Sequence, residues 1–114
     1  MEFFRVFLKN PINEKLFCYT LNQKEAISIE PDPDNYFSGK AEEVTTLTVS
    51  EYYVTQVKKD DLGNAGIIDT AIELQKEALW NRCKLDNKLY LRKLFEDNSP
   101  VTQLWRPVIK PNHL

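Results

Sequence analysis

Few side chains in this sequence have the type and spacing that catalysis or metal binding requires. Its one histidine, His113, stands beside the C-terminus among prolines, whereas nucleophilic catalysis needs an imidazole held next to the nucleophile. Cys18 and Cys83 are far apart and lack the paired spacing of a zinc site. We expect them to be reduced core residues. The sequence therefore predicts no catalytic residue, no metal ligand and no cofactor.

Two further patterns resemble ion-binding sites only in part. The segment Gly63-Asn64-Ala65-Gly66 leads into a predicted helix whose N-terminus could hold an anion, but phosphate-binding loops carry more glycines. Asp32, Asp34 and Glu43 match three positions of a calcium-binding loop, yet aromatic residues occupy its fifth and sixth positions. We interpret the first segment as a junction between elements and the second as a solvated acidic loop.

Basic residues recur at a spacing of four in the second half of the chain. Lys84, Lys88 and Arg92 would form a ridge on one face of a helix and could contact phosphates or an acidic protein. Basic residues near a helix end also suit the helix dipole, which is the simpler interpretation. The chain has 15 basic and 17 acidic residues, which argues against a dedicated nucleic-acid binder. Nucleic-acid association through this ridge is the alternative hypothesis.

Aromatic residues are the candidates for binding another protein. Tyr52, Tyr53 and Trp105 are predicted near element ends, and Trp80 falls outside the richest apolar stripe of a predicted helix. Tyrosine and tryptophan often anchor protein interfaces. The competing interpretation is that they complete the core. We predict these four residues as protein-binding residues.

The first half of the chain is predicted to form a small antiparallel sheet. Residues 2–9 and 15–22 are strand-like on either side of a turn, which predicts a hairpin, and Ile27 and Ile29 alternate as in a third short strand. Residues 30–43 form a polar loop with two prolines and a glycine. Residues 44–49 favour a strand, whereas 50–59 fit a strand or a helix.

The second half is predicted to be helical. Residues 67–85 carry two adjacent apolar stripes at helical spacing. Beyond them, either the helix continues to about Phe95 or a second helix starts near Asp86, with Leu91, Leu94 and Phe95 facing inward. Pro100 suits the first position of a short helical turn, and residues 107–114 form an extended tail. The predicted fold is α+β, with the sheet packed on one long helix or two consecutive helices.

Length and composition limit the functional hypotheses. A chain of 114 residues predicts a single domain, 1–114. No signal-peptide pattern and no long apolar run is present, so we expect a cytoplasmic protein without membrane contact. The favoured hypothesis is a non-enzymatic protein-binding module of inhibitor, immunity or adaptor type, as phages and bacterial conflict systems encode, with a second copy among its candidate partners. An enzyme with an unrecognised site is the third hypothesis.

Overall fold

A computed structural model of the protein describes residues 2–57 and 63–109. These residues form an α+β fold with a six-stranded antiparallel sheet and one main helix, in the strand order β1-β4-β6-β5-β2-β3. The sheet takes in both halves of the chain and is larger than predicted. Its elements are β1 (Phe3–Leu8), β2 (Leu16–Thr20), α1 (Gln23–Ile27), β3 (Glu42–Val44), β4 (Ser50–Gln56), α2 (Asn64–Trp80), β5 (Lys88–Glu96) and β6 (Ser99–Pro107).

The main helix packs on one face of the sheet, as its apolar spacing predicted. Ile67, Ala71, Leu74 and Ala78 recur every three or four residues, so they share one helical face. This face is buried against β4, β5 and β6, where the contacting core residues are Tyr53, Leu89, Leu91 and Leu104. The helix is shorter than predicted, because it ends at Trp80 and not near residue 85.

An arginine in the left-handed region ends α2. Arg82 has a φ of 56°, its N–H donates to the Leu79 carbonyl at 3.0 Å, and the Cys83 N–H donates to the Ala78 carbonyl at 2.8 Å. This is the Schellman arrangement, in which glycine usually takes the left-handed position. Because an arginine stands there instead of a glycine, no helix-stop signal is visible in the sequence at this position.

Replacing Arg82 with glycine should therefore stabilise the protein. A left-handed non-glycine residue costs about 1–2 kcal/mol, and the greater freedom of glycine in the unfolded chain offsets about 0.5–1 kcal/mol of the gain. We expect Arg82→Gly to raise the free energy of unfolding by about 0.5–1 kcal/mol in urea denaturation. Arg82→Ala is the matched control, since it removes the same charge but keeps the Cβ atom. Equal stability of the two variants would contradict this account.

The predicted helices after residue 86 are wrong, since this region is a long hairpin. β5 and β6 are joined by Asp97 and Asn98, whose φ angles of 49° and 64° are both left-handed, as in a type I′ turn. Pro100 lies in β6 opposite Phe95. Its nitrogen faces away from β5, because the Val57 N–H donates to the Thr102 carbonyl and alternate β6 residues face the same side. Proline has no backbone N–H, and at this position its absence removes no hydrogen bond between β5 and β6.

Several predictions for the first half also need correction. β1 and β2 are strands but do not form a hairpin, because β1 pairs with β4, and β2 pairs with β3 and β5. Ile27 ends α1, and Ile29 is exposed outside any strand. Of residues 44–49, the strand β3 holds only Val44.

Other predicted segments agree with the structure in part. The open segment 50–59 contains β4, with residues 58 and 59 outside the described residues. The polar loop 30–43 holds a short 3-10 turn, Pro33–Asn35, and enters β3 at Glu42. The start of the predicted tail pairs with the rest of the fold through a bridge between Val108 and Leu85, while residues 110–114, including His113, lie outside the described residues.

A second core cluster covers the sheet face opposite α2. Side chains alternate across a strand, so Tyr52 and Val54 of β4 face this side while their neighbours face the helix. They pack with Trp105, Leu16 and Leu47. No helix in the described part of the chain is long and apolar enough to cross a bilayer.

Candidate functional site

Three of the four aromatic residues predicted to bind a partner lie in the core of the chain itself. Tyr52, Tyr53 and Trp105 are at most 5% exposed. They lie in β4 and β6, where Tyr53 belongs to the core cluster under α2 and Tyr52 and Trp105 belong to the cluster on the opposite face. An exposed contact surface cannot include them in this conformation. Trp80, at the last residue of α2, is 85% exposed and keeps its place as a candidate.

The predicted basic ridge is not a helical feature. Lys84 lies after α2, whereas Lys88 and Arg92 lie in β5, where four residues span about 13 Å. Lys88 Nζ donates to Thr20 Oγ1 at 2.9 Å. Arg92 pairs with Glu14. The prediction of a continuous helical ridge was wrong, because the segment that carries Lys88 and Arg92 is an extended strand.

The acidic loop uses its carboxylates to hold its own backbone. Asp32 accepts hydrogen bonds from the Asp34 N–H at 3.0 Å and from Asn35 Nδ2 at 2.7 Å. The buried Glu25 accepts from the Asp32 N–H at 2.6 Å. Within residues 2–57 and 63–109, no group of three or more His, Cys, Asp or Glu side chains is arranged to hold a metal ion.

Both cysteines are free and buried. Burial raises the pKa of the Cys18 thiol and of the Cys83 thiol, which keeps both in the weakly nucleophilic protonated form at neutral pH. Burial, together with the neighbouring Cys18, also raises the pKa of Tyr90 to about 12. These groups behave as core residues.

The feature that sequence reasoning missed is a projecting hairpin. The ladder from β4 to β6 ends at the hydrogen bond between Val57 and Thr102, and the ladder from β2 to β5 ends at Phe17 and Leu91. We call residues 92–102 the hairpin arm, because no other strand of the described residues pairs with them. Its Phe95 is 81% exposed.

An apolar groove lies between the hairpin arm, β2 and the N-terminal end of α2. It has a volume of about 550 Å³. Leu91 faces α2 in the core, and side-chain alternation puts Lys93 and Phe95 on that same side of β5. We call this cleft the arm groove, and its main apolar lining residues are Phe17, Tyr19, Val57, Ile67, Leu91, Phe95 and Pro100.

One lysine lines the arm groove, and a second is a near neighbour of the Phe17 ring. Both lysines make a cation–π contact with the Phe17 ring. The Nζ atom of Lys15 lies 5.8 Å from the ring centroid, and that of Lys93 lies 5.7 Å from it. Lys15 also pairs with Glu43 at 2.9 Å. Lys93 is exposed, and no ion pair within the described residues involves it. An apolar floor beside an exposed ammonium group suits an apolar side chain that has a carboxylate neighbour.

The backbone of the hairpin arm offers hydrogen bonds at its outer edge. The Leu21 N–H donates to the Asn87 carbonyl at 2.7 Å across the β2–β5 ladder. Backbone groups alternate in direction along a strand, so those of Lys93 and Phe95 also point to this side, beyond the last β2–β5 pair. An extended segment lying along the groove could hydrogen-bond there.

Trp80 and the arm groove are separate surfaces. The groove includes Ile67 near the start of α2, and Trp80 ends the helix. Thirteen residues of helix separate them by about 20 Å. One short peptide segment would therefore contact one of the two surfaces.

Comparison with known proteins gives no family to which the chain can be assigned: no family model, no curated protein and no solved structure matches it.

Proposed function

We propose that this protein is a non-enzymatic protein-binding module of inhibitor, immunity or adaptor type, and that its partner binds at the arm groove. The observation that carries the proposal is the 81% exposed Phe95 at the lip of an apolar cleft of about 550 Å³. Burying a phenylalanine side chain contributes about 1.5–3 kcal/mol, which a partner would gain on covering it. Apolar clefts of this kind mark interaction sites on protein surfaces.

The chemistry of the arm groove specifies the class of partner. The floor favours an aromatic or large aliphatic side chain, and Lys93 favours a carboxylate beside it. The outward backbone groups of Lys93 and Phe95 favour an extended segment, as in peptide recognition by strand addition. The partner is therefore a protein segment with an apolar residue next to one or two acidic residues.

Selection from a random peptide library tests this specificity. We expect peptides selected on the wild-type protein to be enriched in an aromatic residue adjacent to Asp or Glu. Phe95→Ala and Lys93→Glu should each weaken binding about tenfold or more, since truncating an anchor residue often costs 2 kcal/mol or more. Phe4→Ala is the matched control, because Phe4 is an exposed aromatic on the edge strand β1. Selected peptides that bind both groove variants as tightly as wild type would overturn the site.

Trp80 is tested in the same assay. Its exposure, shared by the neighbouring Leu79, makes the end of α2 the second place where a partner could bury apolar surface. We expect Trp80→Ala to leave the affinity of groove-selected peptides unchanged, because the two surfaces lie about 20 Å apart. Loss of binding with Trp80→Ala but not with Phe95→Ala would move the binding site to the end of α2.

A further inference from the structure

We propose that the arm groove binds the hairpin arm of a second copy of this chain, so that two copies form a symmetric dimer by inserting Phe95 into each other's groove. This inference rests on the proposed function, because it names the partner of the same groove. It is carried by three properties of the hairpin arm: its sequence, its position beside the groove and its exposed charged residues.

The tip of the hairpin arm has the chemistry that the groove requires. Phe95 is followed directly by Glu96 and Asp97, so an aromatic side chain stands next to two carboxylates. All three residues are exposed. No ion pair within the described residues involves Glu96 or Asp97, just as none involves Lys93. Insertion of the partner's Phe95 would bring acidic groups towards Lys93, and these opposite charges would compensate each other.

Phe95 does not fill the groove of its own chain. It lines the groove at the arm side, yet 81% of its surface stays in contact with solvent. Pro100, its cross-strand neighbour, is exposed as well. A cleft of about 550 Å³ lies within the range of clefts that hold ligands, about 300–1,000 Å³. The groove therefore has room for a phenylalanine from outside together with its neighbours.

The position of the arm explains why a second copy fits this site better than an unrelated protein. In a symmetric dimer, the same patch must act as donor and acceptor. Here the donor residue, Phe95, is itself part of the wall of the acceptor groove, so a two-fold axis close to the arm lets both copies insert at once. A head-to-tail contact between the same two patches would instead give a ring or an open chain of copies.

Sedimentation or light scattering measures the expected dimer. From about 1 to 100 µM, a range that covers affinities of weak to moderate dimers, wild type should approach twice the chain mass of 13.4 kDa. Phe95→Ala should remain a monomer over that range, with an unchanged circular dichroism spectrum. Phe4→Ala, the matched exposed aromatic, should dimerise like wild type.

A charge cycle tests the pairing of Lys93 with the partner's acidic tip. Lys93→Glu should weaken the dimer more than Asp97→Asn, because it introduces repulsion as well as removing attraction. The double variant should dimerise better than Lys93→Glu alone, because Asp97→Asn removes part of that repulsion. Asparagine is well tolerated at the left-handed position of Asp97, so the turn itself is preserved. Additive effects of the two changes would overturn the pairing.

The outcomes separate this inference from the proposed function. A wild-type chain that stays monomeric but still selects groove-binding peptides overturns the dimer and leaves the proposed function standing. A dimer that survives both Phe95→Ala and Lys93→Glu also overturns the inference, because it must use another surface. If both are right, a groove-binding peptide will dissociate the dimer in proportion to its occupancy of the groove. A protein that neither dimerises nor selects such peptides overturns both.

Discussion

Replacing Arg106 with alanine is expected to lower the free energy of unfolding by about 3–5 kcal/mol, because it removes a large buried side chain and leaves buried acceptors without a donor. Arg106 is completely buried in β6. Its Nε donates to the Asp86 carbonyl oxygen at 3.2 Å, its Nη2 donates to the same oxygen, and its Nη1 donates to Gln75 Oε1 at 3.4 Å. Alanine would leave these acceptors without a donor and open a cavity beneath α2.

The environment of Arg106 explains why the cost is high. Burial lowers the pKa of its guanidinium, while the nearby Tyr36 and Asp86 oppose that change. No carboxylate forms an ion pair with it within the described residues. The charge is instead held by a backbone carbonyl and by neutral side chains. The partners are Gln75 in α2, the Asp86 carbonyl in the segment before β5, and Tyr36 in its loop. Arg106 therefore connects three parts of the fold to β6.

Urea denaturation of two further variants checks this account. Arg106→Lys should recover only part of the lost stability, because one ammonium group cannot reproduce the planar fork of a guanidinium. Arg5→Ala is the matched control. Arg5 is half-exposed and pairs with Glu51 at 2.9 Å, and exposed ion pairs contribute about 0–1 kcal/mol. Similar losses for Arg106→Ala and Arg5→Ala would show that the buried hydrogen bonds are not the cause.

The parts of the fold that could be predicted from the sequence are those set by local periodicity. The α2 stripe through Ile67, Leu74 and Ala78 has helical spacing over several turns, and α2 is buried on that face. The strands β1 and β2 were also recognised from their aromatic and β-branched residues. Their partners could not be, because pairing depends on contacts far apart in sequence. A hairpin was the local expectation, whereas β4, β6 and β5 lie between these two strands.

The second half was misinterpreted for identifiable reasons. Leu91, Leu94 and Phe95 match helical spacing, but Leu89 and Leu91 also match the alternation of a strand, and tertiary pairing decides between them. The turn at Asp97 and Asn98 lacks the glycine that usually marks a two-residue hairpin turn. Prolines within strands are rare, so Pro100 favoured a helix start.

The candidate site was also missed, because it depends on how the strands pair and not on a local pattern. The arm groove exists only because β5 and β6 extend beyond their neighbouring strands, and no local pattern encodes that extension. Phe95 therefore counted as a core residue, while Tyr53 and Trp105 counted as surface anchors. The sequence indicated that an aromatic residue would be the binding candidate. Which aromatic residues are buried and which are exposed was decided by the strand order. The signal that could have found the site was the Asp97-Asn98 pair between two runs rich in apolar residues.

Replacing Trp105 with alanine is expected to lower the free energy of unfolding by about 3–5 kcal/mol. The side chain is 5% exposed and meets Tyr52 edge-on, with ring centroids 5.4 Å apart. Its Nε1 donates to Gln103 Oε1 at 3.0 Å, and the Arg92 guanidinium lies 5.9 Å from its ring. Truncation would remove the largest member of the core cluster opposite α2, and the surrounding strands cannot close the cavity.

This substitution separates a core role for Trp105 from an interface role. Trp105→Phe should recover much of the stability, because a smaller aromatic still fills most of the volume. Trp80→Ala should change stability by less than about 0.5 kcal/mol, as exposed substitutions usually do. If Trp105 is core, any loss of peptide binding in Trp105→Ala will track the unfolded fraction measured by urea denaturation. A Trp105→Ala variant that is as stable as wild type yet fails to bind would instead place Trp105 in the interface.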